Sequence, residues 1–165
     1  MIARVLRLIA LPLVLVLIST IARFTLGALA VPYTERTNAI TSVFMLTLIS
    51  SVYYGALSKR LAGFGWGGTL LTGYTLGLYV QILIFLATLL SYLIGIDGTS
   101  YFTNWDSLNV AEGTRVALGD AMKSRVGGLI IGPLLPTVCA VIGRLLAPLL
   151  PAPAQAPASP SPAKE

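Results

Sequence analysis

Histidine is absent from this 165-residue chain, and cysteine occurs once, as Cys139. The first absence removes the commonest ligand of haem and zinc and the commonest general base. It argues against a redox subunit carrying its own metal and against a zinc-dependent intramembrane protease. The second rules out an intramolecular disulfide and a cysteine-cluster metal site. Cys139, inside the last apolar stretch, reads as a small buried apolar residue.

Charge is also scarce, at 10% of residues against roughly 25% in the average soluble protein, and acids are the scarcer sign, with six. Glu35, Asp97, Asp106, Glu112, Asp120 and Glu165 all fall outside the apolar stretches, in loops or the tail. Ion-coupled transporters and proton pumps place a titratable or anionic group near the bilayer midplane, so their absence there lowers the case for active transport. There is no Gly-x-Ser-x-Gly elbow, and no Ser-Lys pair inside an apolar stretch. The glycine-rich run from Gly63 to Gly68 lacks the Gly-Lys-[Ser/Thr] ending of a phosphate loop. These gaps lead to the expectation of a non-enzymatic protein with no catalytic residue, no metal ligand and no cofactor.

What the chain does have is apolar length. Hydrophobic residues make up 56% of it, and its mean hydropathy is +0.86. No charged residue lies between Thr37 and Ser58, between Leu61 and Ile96, or between Val126 and Gly143, and Arg23 alone interrupts Leu8 to Ala30. A membrane span needs roughly 20 mainly apolar residues. The expected fold is therefore an all-α bundle of four transmembrane helices at about residues 5–30, 38–58, 66–95 and 126–150.

The first of these also fits a signal peptide. Arg4 and Arg7 would be its basic region, Leu8 to Ala22 its apolar core, and Ala28-Leu29-Ala30 a small-x-small cleavage site. Retention is the preferred reading, because the stretch is long enough to span with Arg23 snorkelling to the far interface. Pro12 is expected to kink this helix, and Pro133 and Pro136 the last one. Thr37 or Asn38 is the expected cap of the second helix.

Residues 96–125 form the one sizeable polar segment. Within it Val110, Thr114, Ala117, Leu118, Ala121 and Met122 recur at helical spacing and suggest a short amphipathic helix before the last span. Beyond the last span, residues 151–165 are expected to be a disordered Pro/Ala-rich tail.

The net charge of +5 comes from eleven basic residues scattered along the chain. Such a distribution reads as topological anchoring and argues against a nucleic-acid surface. If the N-terminus is cytoplasmic, Arg4, Arg7, Lys59, Arg60, Arg144 and Lys164 lie inside, and Arg23, Arg36, Arg115, Lys123 and Arg125 lie outside. The expectation is an integral protein, in a bacterial inner membrane, with both termini cytoplasmic.

Small residues recur every four positions, with Ser51 and Gly55 on the second helix, Gly73 and Gly77 on the third, and Gly128 and Gly132 on the fourth. Residues four apart share a helix face, so these stripes are candidate helix-packing sites. Gln81, the one side-chain amide deep within an expected span, needs partners in hydrocarbon. Tyr54, Ser51 or Thr137 are candidate interhelical bonds, and Tyr74 joins Gln81 and Tyr54 if they line a polar path. Arg23 and Arg144, near helix ends, are candidate contacts for a lipid phosphate. The resulting expectation is an accessory or structural subunit acting through helix packing with a membrane-protein partner or in a homo-oligomer. An oligomeric small-solute carrier and a lipid-headgroup enzyme are the alternatives.

Overall fold

The structure is a computed structural model, and it describes residues 1–31, 42–96, 101 and 114–149. Among these residues all regular structure is helical. The helices are α1 (Ile2–Leu8), α2 (Ala10–Ala28), α3 (Val43–Ala62), α4 (Trp66–Leu93), α5 (Leu118–Ile131) and α6 (Leu134–Leu146), with a 3-10 turn at Ala147–Leu149. Three stretches are long and apolar enough to cross a membrane: Ala10–Ala28, Trp66–Leu93 and Leu118–Leu149.

The first expected span is broken at Ile9, between α1 and α2. Pro12 supplies the cause, since it has no N–H for the Leu8 carbonyl and its ring crowds that carbonyl. The last expected span is broken at Gly132 and Pro133. Pro133 and Pro136 leave the carbonyls of Leu129 and Gly132 without their helical donors, and a turn separates α5 from α6 there.

Three sequence expectations change. The last helical stretch begins at Leu118, eight residues before Val126, because an absence of charge marks hydrocarbon depth and a helix can project beyond it. Asp120 in the first turn of α5 faces the favourable end of the helix dipole. The separate amphipathic helix is accordingly corrected in its described part: Thr114–Ala117 is not helical, Leu118–Met122 opens α5, and Val110 lies outside the described residues. The cap of α3 is Ser42, whose Oγ accepts the Met45 N–H at 3.3 Å. Thr37, Asn38 and the tail 151–165 lie outside the described residues.

Helix α3 is 20 residues long, but its hydroxyls, its tyrosines and the Lys59-Arg60 pair in its last turn dilute its hydropathy, and it is not among the three stretches above. It ends at Gly63 in the left-handed conformation (φ 63°), with Gly63 N–H bonded to Lys59 O and Phe64 N–H to Ser58 O. The bond from Gly63 to Lys59 O is that of an αL cap, and glycine takes the required φ without a Cβ clash. The chain then turns directly into α4.

Helix α4 is the spine of the bundle. Leu76 packs with Val5, Ile9 and Phe64; Val80 with Val16 and Val43; and Ala87 with Tyr101. Helix α6 lies against both α3 and α4, and α5 continues along α4.

Polarity is inverted relative to a water-soluble protein. Every polar residue buried among the described ones is a serine or threonine: Thr20, Thr47, Ser50, Ser51, Ser58, Thr69, Thr72, Thr88 and Ser91. Meanwhile Ile18, Leu86, Val138 and Ile130 are half or more exposed. Buried hydroxyls that bond the carbonyl one turn back, as Thr47 does to Val43 O and Thr72 to Gly68 O at 2.8 Å, need no water. Exposed leucine and isoleucine around the perimeter need lipid.

Candidate functional site

The small residues of α3 and α4 converge on α6. A Cβ added at Gly73 would lie 2.6 Å from Pro136 O and Thr137 Cα, and one at Gly77 2.7 Å from Pro133 Cα. Gly55 faces the backbone of Ala140 even more closely, and Gly143 faces Val52 O. Gly143 stood outside the four-residue stripe read from the sequence; its signal was the small-residue offset of three from Ala140, which also shares that face.

Gly128 and Gly132 behave differently. Both face the amide of Gln81, so Gly128 in α5 and Gly132 at its C-cap seat a side chain and not a neighbouring helix backbone. The expected bonds from Gln81 to Ser51, Tyr54 or Thr137 are not formed among the described residues. Thr137 Oγ1 donates to Pro133 O at 2.7 Å, Tyr54 meets Tyr53 edge-on at 5.4 Å, and Ser51 Oγ is buried without a partner. Tyr74 is exposed on the outside of α4.

The two arginines within the expected spans, Arg23 and Arg144, sit at opposite ends of the bundle. Arg23 Nε donates to Tyr101 O at 2.8 Å, with its guanidinium carbon 5.5 Å from the Tyr101 ring centroid. Nearby, Arg125 Nε donates to Thr88 Oγ1 at 3.0 Å and Tyr92 OH to Val116 O at 2.8 Å. These bonds tie the end of α4 to α5 and to the segment preceding α5.

The other end holds the most developed polar constellation. Arg144, in the last turn of α6, donates through Nη1 to Phe64 O at 2.9 Å and to Thr69 Oγ1 at 2.6 Å, and its guanidinium stacks 4.5 Å from the Trp66 ring centroid. Ser58 Oγ donates to Gly55 O at 2.7 Å and lies 2.7 Å from Thr69 Oγ1. A hydroxyl has one proton. With the Ser58 proton spent on Gly55 O, the Thr69 proton goes to Ser58 Oγ at 2.7 Å in preference to Gly65 O at 3.4 Å, and the chain runs Arg144 to Thr69 to Ser58 to Gly55 O, crossing from α6 through α4 to α3. Successive donors polarise one another, so this is a stronger tie than its separate bonds.

The turn between α3 and α4 makes this possible. The left-handed turn at Gly63 leaves the Phe64 carbonyl facing Arg144. Gly68 leaves room for the Phe64 ring, whose Cβ and Cγ would lie 2.7 Å from any Cβ there. Arg4 closes the same end from α1, with Nη2 on Ala62 O at 2.5 Å and its guanidinium 5.3 Å from the Phe64 centroid.

Beside Arg144 opens a cleft of about 590 Å³ lined by Lys59, Arg60, Trp66, Arg144, Leu145, Ala147 and Pro148. Its polar wall is wholly cationic apart from the tryptophan. Asp120, the one acid among the described residues, opens α5 at the far end. What this arrangement can do chemically is hold an anion against a fixed guanidinium.

No protein-family model, curated protein or solved structure matches the chain. The class therefore rests on the fold itself, a helical protein with three helices of membrane-crossing length and hydropathy.

Proposed function

We propose that this chain is a four-span integral membrane protein serving as a non-enzymatic accessory or structural subunit of a membrane assembly. The observation that carries the reading is the filled seam between α3, α4 and α6. Gly55, Gly73, Gly77 and Gly143 bring backbones together within the chain, and the buried hydroxyls of Thr47 and Thr72 are bonded along their own helices. A carrier built by apposing glycine-lined faces of several copies would need those faces free. A lipid-headgroup enzyme would draw on Asp97, Asp106, Glu112 or Asp120; Asp120 alone is described, in the first turn of α5, with no second acid beside it among the described residues. What a filled bundle still offers a partner is its apolar perimeter.

The fourth span in this reading is α3. Val43 packs with Val16 and Val80 at one end, Gly55 meets Ala140 midway, and Ser58 meets Thr69 at the other end. A helix in register with membrane-length neighbours along its whole length shares their depth. Its outward residues Met45, Ile49 and Tyr53, one turn apart, are all more than half exposed and suit lipid.

Arg4, Arg7, Lys59, Arg60 and Arg144 belong to one end of the bundle, which supports a cytoplasmic position for that end and for both termini, in a bacterial inner membrane. Extraction of the native assembly in mild detergent, followed by sizing and mass spectrometry, tests the role. The accessory reading expects a hetero-complex of fixed stoichiometry that purification through the partner recovers reciprocally. A monomer or homo-oligomer from native membranes overturns it.

A further inference from the structure

We infer that the cleft between the end of α3, the start of α4 and the end of α6 is a binding site for the phosphodiester of an anionic phospholipid. It needs the bundle to lie in a bilayer, but it is independent of the accessory role.

Three features of the cleft converge on that ligand. Lys59, Arg60 and Arg144 place three cations around one opening of about 590 Å³. Among the described residues, no carboxylate neutralises Lys59 or Arg144. Arg144 is also held in place before any ligand arrives: Nη1 is committed to Phe64 O and Thr69 Oγ1, and the plane rests on Trp66. Its other N–H groups have no partner among the described residues. A guanidinium fixed on one edge presents its remaining donors in a geometry that matches two phosphate oxygens, and little side-chain entropy is left to lose on binding.

The third feature is depth. The cleft lies at the helix ends beside Trp66, a residue type that sits at headgroup level. Its remaining wall is Leu145, Ala147 and Pro148, with Leu145 63% exposed. Cations on one wall and bare apolar surface on the other fit a ligand that is anionic at its head and apolar below it. Inorganic phosphate matches only the first wall, so lipid is the favoured source. Basic pockets between helices at one face of a membrane commonly take such headgroups.

The test uses the full-length protein in bilayer discs made of equal parts phosphatidylglycerol and phosphatidylcholine, transferred to mild detergent, with retained lipid counted by native mass spectrometry. The wild-type chain is expected to retain phosphatidylglycerol in preference to phosphatidylcholine. Arg144→Gln and the pair Lys59→Gln with Arg60→Gln each lower that retention about fivefold or more, at roughly one fivefold step per cation. The Lys59/Arg60 pair leaves the Arg144–Thr69–Ser58 chain intact, and an unfolding midpoint equal to that of wild type separates a lost lipid contact from an altered fold. Arg7→Gln removes a cation from the same end but outside the cleft and leaves retention unchanged.

Equal retention of the two lipids by wild type overturns the proposal, as does a loss in Arg7→Gln equal to that in the cleft variants. A second arm titrates inorganic phosphate against the Trp105→Phe protein in discs of phosphatidylcholine alone, reading Trp66 fluorescence. A phosphate response there, without a lipid preference in the first arm, identifies free phosphate as the ligand and overturns the lipid assignment. A lipid preference with no phosphate response supports it.

Discussion

Glycine matters in this bundle for what lies opposite it, and the substitutions separate accordingly. Gly55→Ala puts a methyl group into the backbone of Ala140, and neither backbone can retreat without opening the α3–α6 contact. Forced overpacking of this kind costs about 1–3 kcal/mol. Gly128→Ala meets only the end of the Gln81 side chain, at 3.0 Å from Oε1, which can swing aside. Gly67, in the first turn of α4, has nothing within 4 Å, so Gly67→Ala gains helix propensity, by less than the roughly 1 kcal/mol of an interior site. Unfolding in mixed micelles is expected to rank Gly67→Ala above wild type, Gly128→Ala slightly below it and Gly55→Ala last. Equal losses at all three would show that the close approaches do not hold the bundle together. The spacing of these small residues is visible in the sequence, but the helix opposite each one is not. Arg144, Thr69 and Ser58 illustrate the difficulty, since they are 75 and 11 residues apart in sequence and no local pattern links them.

At the scale of elements, charge gaps locate apolar lengths well and helix ends poorly. The gap after Leu61 leads to α4, whose bounds Trp66–Leu93 nearly coincide with the expected 66–95. The gap after Val126 misses the first two turns of α5, because Asp120, Lys123 and Arg125 ride on the same helix where it leaves hydrocarbon. Proline was the more exact guide: Pro12 and Pro133 each fall beside an observed break. Helix α3 is the element whose position most needs a direct test, since packing and not hydropathy supports its crossing. Single cysteines at Ala30→Cys and Lys59→Cys, in a Cys139→Ala background, flank it. If α3 crosses, a membrane-impermeant maleimide labels Ala30→Cys in intact spheroplasts and labels Lys59→Cys only after permeabilisation. Labelling of both from one side returns α3 to the surface and reduces the bundle to three spans.

For the whole molecule the decisive asymmetry is charge. One end carries Arg4, Arg7, Lys59, Arg60 and Arg144, while Asp120, the one acid among the described residues, lies on α5 at the other, and Glu35, Asp97, Asp106 and Glu112 belong to sequence segments between the helices. That other end still has Arg23, Arg115, Lys123 and Arg125 among the described residues, so a count of basic residues alone hardly separates the two. Position separates them better. Arg4 and Arg7 precede the first apolar stretch, and Lys59 and Arg60 close a turn of only a few residues, the settings in which basic residues most strongly resist translocation. Arg115, Lys123 and Arg125 follow a long polar segment, where their influence is weaker. Arg4→Gln, Arg7→Gln, Lys59→Gln and Arg60→Gln together therefore remove the dominant signal and leave the opposing one intact. In the same labelling assay the fourfold variant is expected to expose Ala30→Cys on both sides of the membrane, as a mixed population of two orientations. If it keeps the wild-type orientation, Arg144 and the fold hold the topology without those four charges, and the cytoplasmic assignment of the basic end loses its support.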